Sequence, residues 1–470
     1  MQPTLVLGST GADVILLQTR LNALPSALPR LAVDGNFGQL TLQRVQEFQT
    51  NTFVDGIVDA DDWAELLEEE QPQRETFFTD GRLLRDPKGN VTVLRGINLP
   101  LLDDWSFPGN DKLTEIETTG ANAVRIAWYI DYGNAARPAY SVADLDQFLA
   151  RCKAMGLVAI LGLWDVTCQP DATLVNTQLI PWWTSAEVVA VLVKHQQYLV
   201  INLANELGAF RWADDPQAAL DQFKTAYKIA LTDIREKLHM PVMIDAPDCG
   251  TSIHAWPAIG QELVDHDPDH NVLLSVHAYW ADFDGMPHID TAVNANLPIV
   301  FGEVANKQDN SANGQTEFCF YDLDGLGQNH PAASGFTYQA LLEELKTKDI
   351  GWLVWSWWPD GCPSRNIGTY SNVNGQFEGL TQPYGDDIVN HPAYGLKATA
   401  VRASIFPWSS QPRYFGRPQL TRAAWRSRPP LGDFLIRSLD GNEATQARAT
   451  RHVNLAQPSL SPRRMTPTGS

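Results

Sequence analysis

The chain has 470 residues, with 35 Lys and Arg against 55 Asp and Glu and a formal net charge of −20. That balance argues against nucleic acid as a partner, and the length exceeds one ordinary domain, so two or three units are expected. An apolar fraction of 44% suffices for a large core, while no apolar run reaches the length of a membrane span.

The charge is unevenly spread, because residues 401–470 carry 11 Arg, no Lys and three acidic residues. The 15 Trp serve either a deep core or flat platforms for sugar rings, and composition does not separate the two. The five cysteines, Cys152, Cys168, Cys249, Cys319 and Cys362, lack the paired spacing of a zinc site. All but Cys152 fall in predicted loops; their pairing is open, and the odd number leaves at least one thiol free in a monomer. No nucleotide, flavin or metal motif is present, so neither a cofactor nor a metal is expected. The start, MQPTLVLGSTGADV, has neither the basic stretch nor the long apolar stretch of a signal peptide.

In chain order, residues 1–67 come first. Val14, Leu17 and Leu21, then Thr41, Val45 and Phe48, recur at helical spacings of three and four. VDGNFG and VDGIVD read as turns, and DDWAELL as a short helix opening on Asp. The runs LVLGSTGADVILLQTRLN, VDGNFGQLTLQRVQEFQ and VDGIVDADDWAEL together resemble the peptidoglycan-binding type 1 domain, a small three-helix module. The resemblance implies binding to a cell-wall or related polymer, whereas the residues themselves read Phe37, Phe48 and Trp63 simply as the core of a small bundle. Residues 68–76, EEEQPQRET, read as a linker. At the other end, 405–470 is rich in Arg, Pro and Ser with little periodicity, and is predicted to be largely disordered.

Between them, 77–404 alternates short apolar runs with amphipathic segments. The runs are VLRGINL, NAVRIAW, LVAILGLWD, YLVINLANE, PVMIDAPD, NVLLSVHAYW, PIVFGEV and IGWLVWSWW. Helical patterns such as SVADLDQFLARCKAMG and FTYQALLEELKTKD lie between most of them. Continuous apolar strands separated by helices predict a parallel sheet covered on both faces. Eight such units in this length predict a (β/α)8 barrel of the TIM type.

Nearly every run is apolar at its start and polar or aromatic at its end. Arg125 and Trp128 close the second run, Trp164-Asp165 the third, Asn205-Glu206 the fourth, and Asp245 and Asp248 the fifth. His277, Tyr279 and Trp280 close the sixth, Glu303 the seventh, and Trp355, Trp357 and Trp358 the eighth. The C-terminal mouth of such a barrel is where chemistry occurs. Glu206 and Glu303 face each other across it, and paired carboxylates are the minimal machinery for glycoside hydrolysis. One must hold a proton for the leaving oxygen while the other stays ionised. His277, Tyr279 and Arg125 are expected to support an ionised Glu303, and Asn205 to hold a sugar hydroxyl. Trp355 and Trp357 alternate by two and so share a face; either one of them, Trp355 first, floors the sugar or both are core.

LRGINL, NAVRIAW, INLANELG, SVHAYW, IVFGEVA and GWLVWSWW resemble glycoside hydrolase family 5. That resemblance implies a retaining double displacement, with Glu206 as acid/base and Glu303 as nucleophile. Arg125, Asn205, His277, Tyr279 and Trp355 match the family's supporting residues. WDVTC, PWW, IDAPDCG and GWLVWSWWPDG look more like the family's bacterial β-mannanases than its cellulases. The expected substrate is β-1,4-mannan or glucomannan, with β-1,4-glucan as the alternative. A departure stands at Trp164, in GLWD, where the family has His before the Asp; indole donates a hydrogen bond and cannot accept one. A non-catalytic glycan-binding barrel and a peptidoglycan hydrolase are the competing readings. Both modules suit an extracellular or cell-envelope location.

Overall fold

The computed structural model describes residues 2–24, 26, 28–49, 54–67, 74–100, 112–131, 140–312, 315–326, 329, 335–358, 360–371 and 375–406. The predicted linker from 68 to 73 and the predicted disordered tail from 407 lie outside the described residues. Among those described, no helix is long and apolar enough to cross a membrane.

The N-terminal helices are α1 (Ala12–Ala23), α2 (Gln39–Phe48) and α3 (Ala60–Leu67). The face carrying Val14, Leu17 and Leu21 packs with Phe37, Val45, Val58, Trp63 and Leu66 into a small apolar cluster. Both Asp-Gly turns are clipped in one way. Gly35 and Gly56 take left-handed φ values of +74° and +75°, where a side chain would be strained. The freed N–H of each donates to a buried glutamine, Gln18 Oε1 for Gly35 and Gln49 Oε1 for Gly56, both at 2.9 Å.

The second apolar cluster is the barrel. Its strands are β1 (Arg95–Leu99), β2 (Ala123–Trp128), β3 (Val158–Leu163), β4 (Leu199–Asn202), β5 (Val242–Asp245), β6 (Val272–His277), β7 (Ile299–Val304) and β8 (Gly351–Val354). They form one closed parallel barrel in sequence order, with β8 paired to β1. Each of the eight predicted runs is therefore a strand. All are buried along their length save the first residue of β8, because helices cover the outside and side chains fill the inside.

Local signals set the covering helices. Val142–Met155 opens with a capping box between Ser141 and Asp144 and stops at Gly156, in the left-handed conformation. Pro216–Arg235 opens on Asp215, whose carboxylate accepts from the Ala218 N–H, with Pro at the first turn. At its far end Arg235 is buried against Asp267 and donates to the carbonyls of Leu238, Met240 and Asn271. Those groups precede β5 and β6, at the end of the barrel opposite the mouth.

Two disulfides tie mouth loops together. Cys168–Cys249 joins the loops after β3 and β5. Cys319–Cys362 joins an antiparallel hairpin (Lys307–Ala312 with Gln315–Asp322) to the loop after β8. Cys152 is a buried free thiol. The pairing left open by sequence is thus fixed by which loops the barrel brings together.

Candidate active site

Arg125 forms the floor of the mouth. It is the third of six residues in β2, in register with Asn98 of β1 and Ile160 of β3, and its side chain is fully buried. Sequence places it at the strand end; the structure seats it inside the strand, pointing up the barrel. Its guanidinium donates to Asn98 Oδ1 (2.9 Å), Asn202 Oδ1 (2.7 and 3.0 Å), Asn205 Oδ1 (2.7 Å), Asp245 Oδ2 (3.0 Å) and Glu303 Oε1 (2.8 Å). A buried cation is tolerated only when paired and hydrogen-bonded in this way.

Glu303, on β7, is held from two sides. Arg125 Nη1 donates to Oε1 and the Tyr279 hydroxyl donates to Oε2, each at 2.8 Å. Each of its two oxygens thus accepts one hydrogen bond, and one of the two donors is a guanidinium. The residue before it must be glycine. A Cβ at Gly302 would lie 2.4 Å from Ser275 Oγ and 2.8 Å from His277 Nε2. The Gly-Glu pair is thus a steric requirement of the Ser275 and His277 side chains.

Glu206 follows β4 and has φ +54°, an uncommon backbone for a non-glycine residue. Its carbonyl accepts from the Cys168 N–H at 3.1 Å and its N–H donates to Asp245 Oδ2 at 3.3 Å. These contacts turn the side chain back over the mouth. Glu206 Oε1 lies 2.7 Å from His277 Nδ1; the described residues put no N–H or O–H on Oε2, which has the disulfide sulfur of Cys168 3.2 Å away. Carboxyl oxygens of Glu206 and Glu303 approach within 4.8 Å. That matches the close spacing of about 5–5.5 Å in retaining glycosidases rather than the 6.5–9.5 Å of inverting ones.

His277 organises the charge. Its ring is wedged between Gly302 and Gly250, where a Cβ would come within 2.8 and 2.5 Å of it. Burial alone would lower its pKa, but facing Glu303, Asp245 and Glu206 raises it to about 10. Burial pushes Asp245 up, and His277 and Arg125 outweigh it, leaving that carboxyl well below its usual range. Burial raises Glu206 to about 6, with His277 opposing and Glu303 adding to the rise. Arg125 and His277 thus face three carboxyls, Asp245, Glu303 and Glu206, so ionising all three would leave one surplus negative charge, and Glu206 is the carboxyl whose pKa is raised. Glu206, His277 and Glu303 also place donor atoms close enough for a cation, but Arg125 and His277 already supply the positive charge there.

His277 faces both glutamates, with its short contact to Glu206 at 2.7 Å and Glu303 at 3.6 Å. One sequence expectation is corrected: Trp357 does not share the mouth with Trp355. It is fully buried, stacks on Phe377 at 5.7 Å and donates its indole N–H to Tyr370. The reason is that β8 ends at Val354, so alternation by two does not carry past it. Trp355 does stay at the mouth, its N–H donating to Asp360 at 2.6 Å and its ring stacked on Trp164 at 5.2 Å. Asn205 is fully buried, its amide committed to Arg125 and Thr167. Sequence reading passed over Asn98, Asn202 and the role of Asp245. A polar residue inside an apolar run must have partners, and LRGINL and VINLANE each contain one.

The model of the family described as cellulase (glycosyl hydrolase family 5) matches residues 85–361, and that of a peptidoglycan binding domain matches residues 10–66. A mannan endo-1,4-beta-mannosidase of Cellvibrio japonicus (strain Ueda107) is 26% identical over 350 residues, covering 70% of this chain and 69% of the relative. A second enzyme of that name, from Salipaludibacillus agaradhaerens, is 25% identical over 349 residues, covering 70% and 96%. The catalytic domain of a mannanase from Streptomyces sp. SirexAA-E shares the fold, with a TM-score of 0.56 and 21% identity over 72% of this chain and 96% of that one. The first match takes in all eight barrel strands and both mouth glutamates, well over half of the chain, which therefore belongs to glycosyl hydrolase family 5.

Proposed function

We propose that the protein is a retaining endo-β-1,4-mannanase acting on β-mannan or glucomannan. The observation that carries the chemistry is the close pair of carboxylates in unequal environments, Glu303 between two donors and Glu206 with one oxygen free. Glu303 attacks the anomeric carbon while Glu206 passes its proton to the glycosidic oxygen. Glu206 then takes a proton from the water that releases the sugar from Glu303. Negative charge moves from Glu303 to Glu206 in the first step, and the neutral ester leaves two cations facing two anions as before. His277 stands beside the oxygen pair where the new charge appears.

The choice of mannan rests on the two curated relatives, both named for it. The glucan alternative rests on the family description, which is that of a cellulase. Incubation of the full chain with mannan, glucomannan, xylan and carboxymethylcellulose, scored by reducing ends, separates them. Release from carboxymethylcellulose alone would make the enzyme a glucanase. Proton NMR of early product should show the β-anomer first. Glu303→Ala should abolish release, and undiminished activity in that variant would end its assignment as nucleophile.

The division into a module at 1–67, a barrel at 77–404 and a tail belongs to the same proposal. The module tethers the enzyme to a cell-wall polymer, peptidoglycan being the first to test. Sedimentation of the full chain with purified insoluble wall material should carry it down, and a chain lacking residues 1–67 should stay in solution.

A further inference from the structure

One sulfur stands where the acid does its work. Cys168 Sγ is 3.2 Å from Glu206 Oε2, the oxygen not taken by His277. In the disulfide to Cys249 that sulfur carries no proton, so Oε2 faces a group that donates nothing. We propose that the Cys168–Cys249 disulfide keeps the proton-carrying oxygen of Glu206 free of donors, and that its reduction by a dithiol turns the acid off. This rests on the reading of Glu206 as acid/base.

Access and retention of place both follow from the loops. Cys168 is exposed and Cys249 half-buried, so a thiolate reaches Cys168 Sγ. Attack there releases Cys249 as a thiolate and forms a mixed disulfide. The second thiol of the reagent then displaces Cys168 and leaves as a cyclic disulfide. Two electrons and two protons pass to the protein, giving two thiols. The loops do not need the bridge to stay joined. Gly208 N–H donates to Gln169 O (2.8 Å), Asp248 N–H to Gly208 O (2.9 Å) and His277 N–H to Gly250 O (2.8 Å). The Asp248 carboxylate also accepts from the N–H groups of Phe210 and Arg211. Cys168 N–H remains on the Glu206 carbonyl. The freed Cys168 thiol is therefore left beside Oε2.

A thiol near its ordinary pKa of about 8.5 is protonated at neutral pH, and an S–H is a donor. Donation to Oε2 favours the carboxylate and draws Glu206 away from the proton it must deliver. The other titratable groups facing Glu206 among the described residues are His277, Glu303, Asp245, Tyr279 and, behind them, Arg125. None of these is attached to the bridge, so their field is the same in both states; the Cys249 sulfur also lies within 4.8 Å of a Glu206 oxygen and becomes a second thiol there on reduction.

The test compares oxidised and dithiothreitol-reduced enzyme across pH 5–9, on the polysaccharide it cleaves best and on an aryl glycobioside with a dinitrophenyl leaving group. Reduction should move the alkaline limb of kcat/KM about one unit toward lower pH, a loss of about tenfold at neutral pH on the polysaccharide. The dinitrophenyl substrate needs no proton and should be cleaved at an unchanged initial rate. Cys168→Ser places a hydroxyl donor there and should show the shifted limb without reductant. Cys168→Ala/Cys249→Ala should show the unshifted limb with or without it. Carboxyl 13C titration of Glu206, assigned against Glu206→Gln, reads the same shift with no substrate, so a wrong substrate class leaves the test intact. Equal losses on both leaving groups, an unmoved Glu206 titration once thiol counting shows the bridge open, or a double variant still sensitive to reductant would each overturn the proposal.

Discussion

The pH profile tests the charge arrangement most directly. Glu206 must be protonated to act, so activity is present below its pKa and lost as pH rises through it. With that value raised from 4.5 to about 6, about half of the enzyme is competent at pH 6, about a tenth at pH 7 and about a hundredth at pH 8. An unperturbed glutamate would leave only about one molecule in 300 competent at pH 7, so the environment is worth about 30-fold there. The profile of kcat/KM reports the free enzyme and should be measured from pH 4 to 9 on a soluble β-1,4-mannan oligosaccharide. Glu206→Gln should lose about 10²–10⁴-fold and lose the alkaline limb with it. His277 opposes the rise through its hydrogen bond and charge, so His277→Gln should move the limb to higher pH while lowering the rate. A limb that persists unchanged in Glu206→Gln, or that moves down in His277→Gln, would refute the assignment of the proton to Glu206.

Three further outcomes follow from burial and pairing. Trp355→Ala should raise KM about tenfold with little change in the denaturant midpoint, since the ring lies at the mouth. Trp357→Ala should cost about 3–5 kcal/mol of stability instead, because that ring is fully buried in the core; denaturant unfolding and steady-state kinetics separate the two. Arg235→Leu strands Asp267 as a buried unpaired charge and should destabilise by about 3–5 kcal/mol, while kcat of the folded fraction is unaffected, as the pair lies opposite the mouth. Cys319→Ala/Cys362→Ala opens a cross-link spanning 43 residues and should cost about 2–4 kcal/mol by chemical denaturation.

The barrel was legible because parallel strands buried on both faces read as unbroken apolar runs, and because polar residues gather where those runs end. Glu206, Glu303, Tyr279 and Trp355 stood out for that reason. What stayed hidden depends on neighbours distant in sequence. Nothing in IVFGEVA says that the Gly302 position is filled by the His277 ring, and nothing near Cys168 names Cys249 as its partner. Arg125 reads as a strand end because a cation inside a strand looks too costly. It is tolerated there because Asn98, Asn202 and Asp245 arrive from three other strands. The error at Trp357 has the same root, since a strand's period is valid only where the ladder continues.

Trp164 stands where the family's motif has His, and the structure says what that exchange touches. Both oxygens of Glu303 already have donors, Glu206 Oε1 has His277, and Asp245 Oδ2 has Arg125. Among the described residues the buried carboxylate oxygen left without a hydrogen bond is Asp245 Oδ1, and it faces the imidazole of His277, 3.5 Å away. The indole instead lies nearly parallel to Trp355, 19° between planes at 5.2 Å, with the Arg125 guanidinium 5.4 Å from its ring. On the proposed mechanism the exchange therefore alters the aromatic surface at the mouth, beside Trp355, rather than the contacts of Glu206 and Glu303. Trp164→His should change KM and the ratio of mannan to glucan turnover by about tenfold, with kcat on the best substrate within about threefold. A fall in kcat of about a hundredfold at unchanged KM would mean that the indole acts in the transition state alone, and that the network of Arg125, Asp245, His277 and the two glutamates is not self-sufficient.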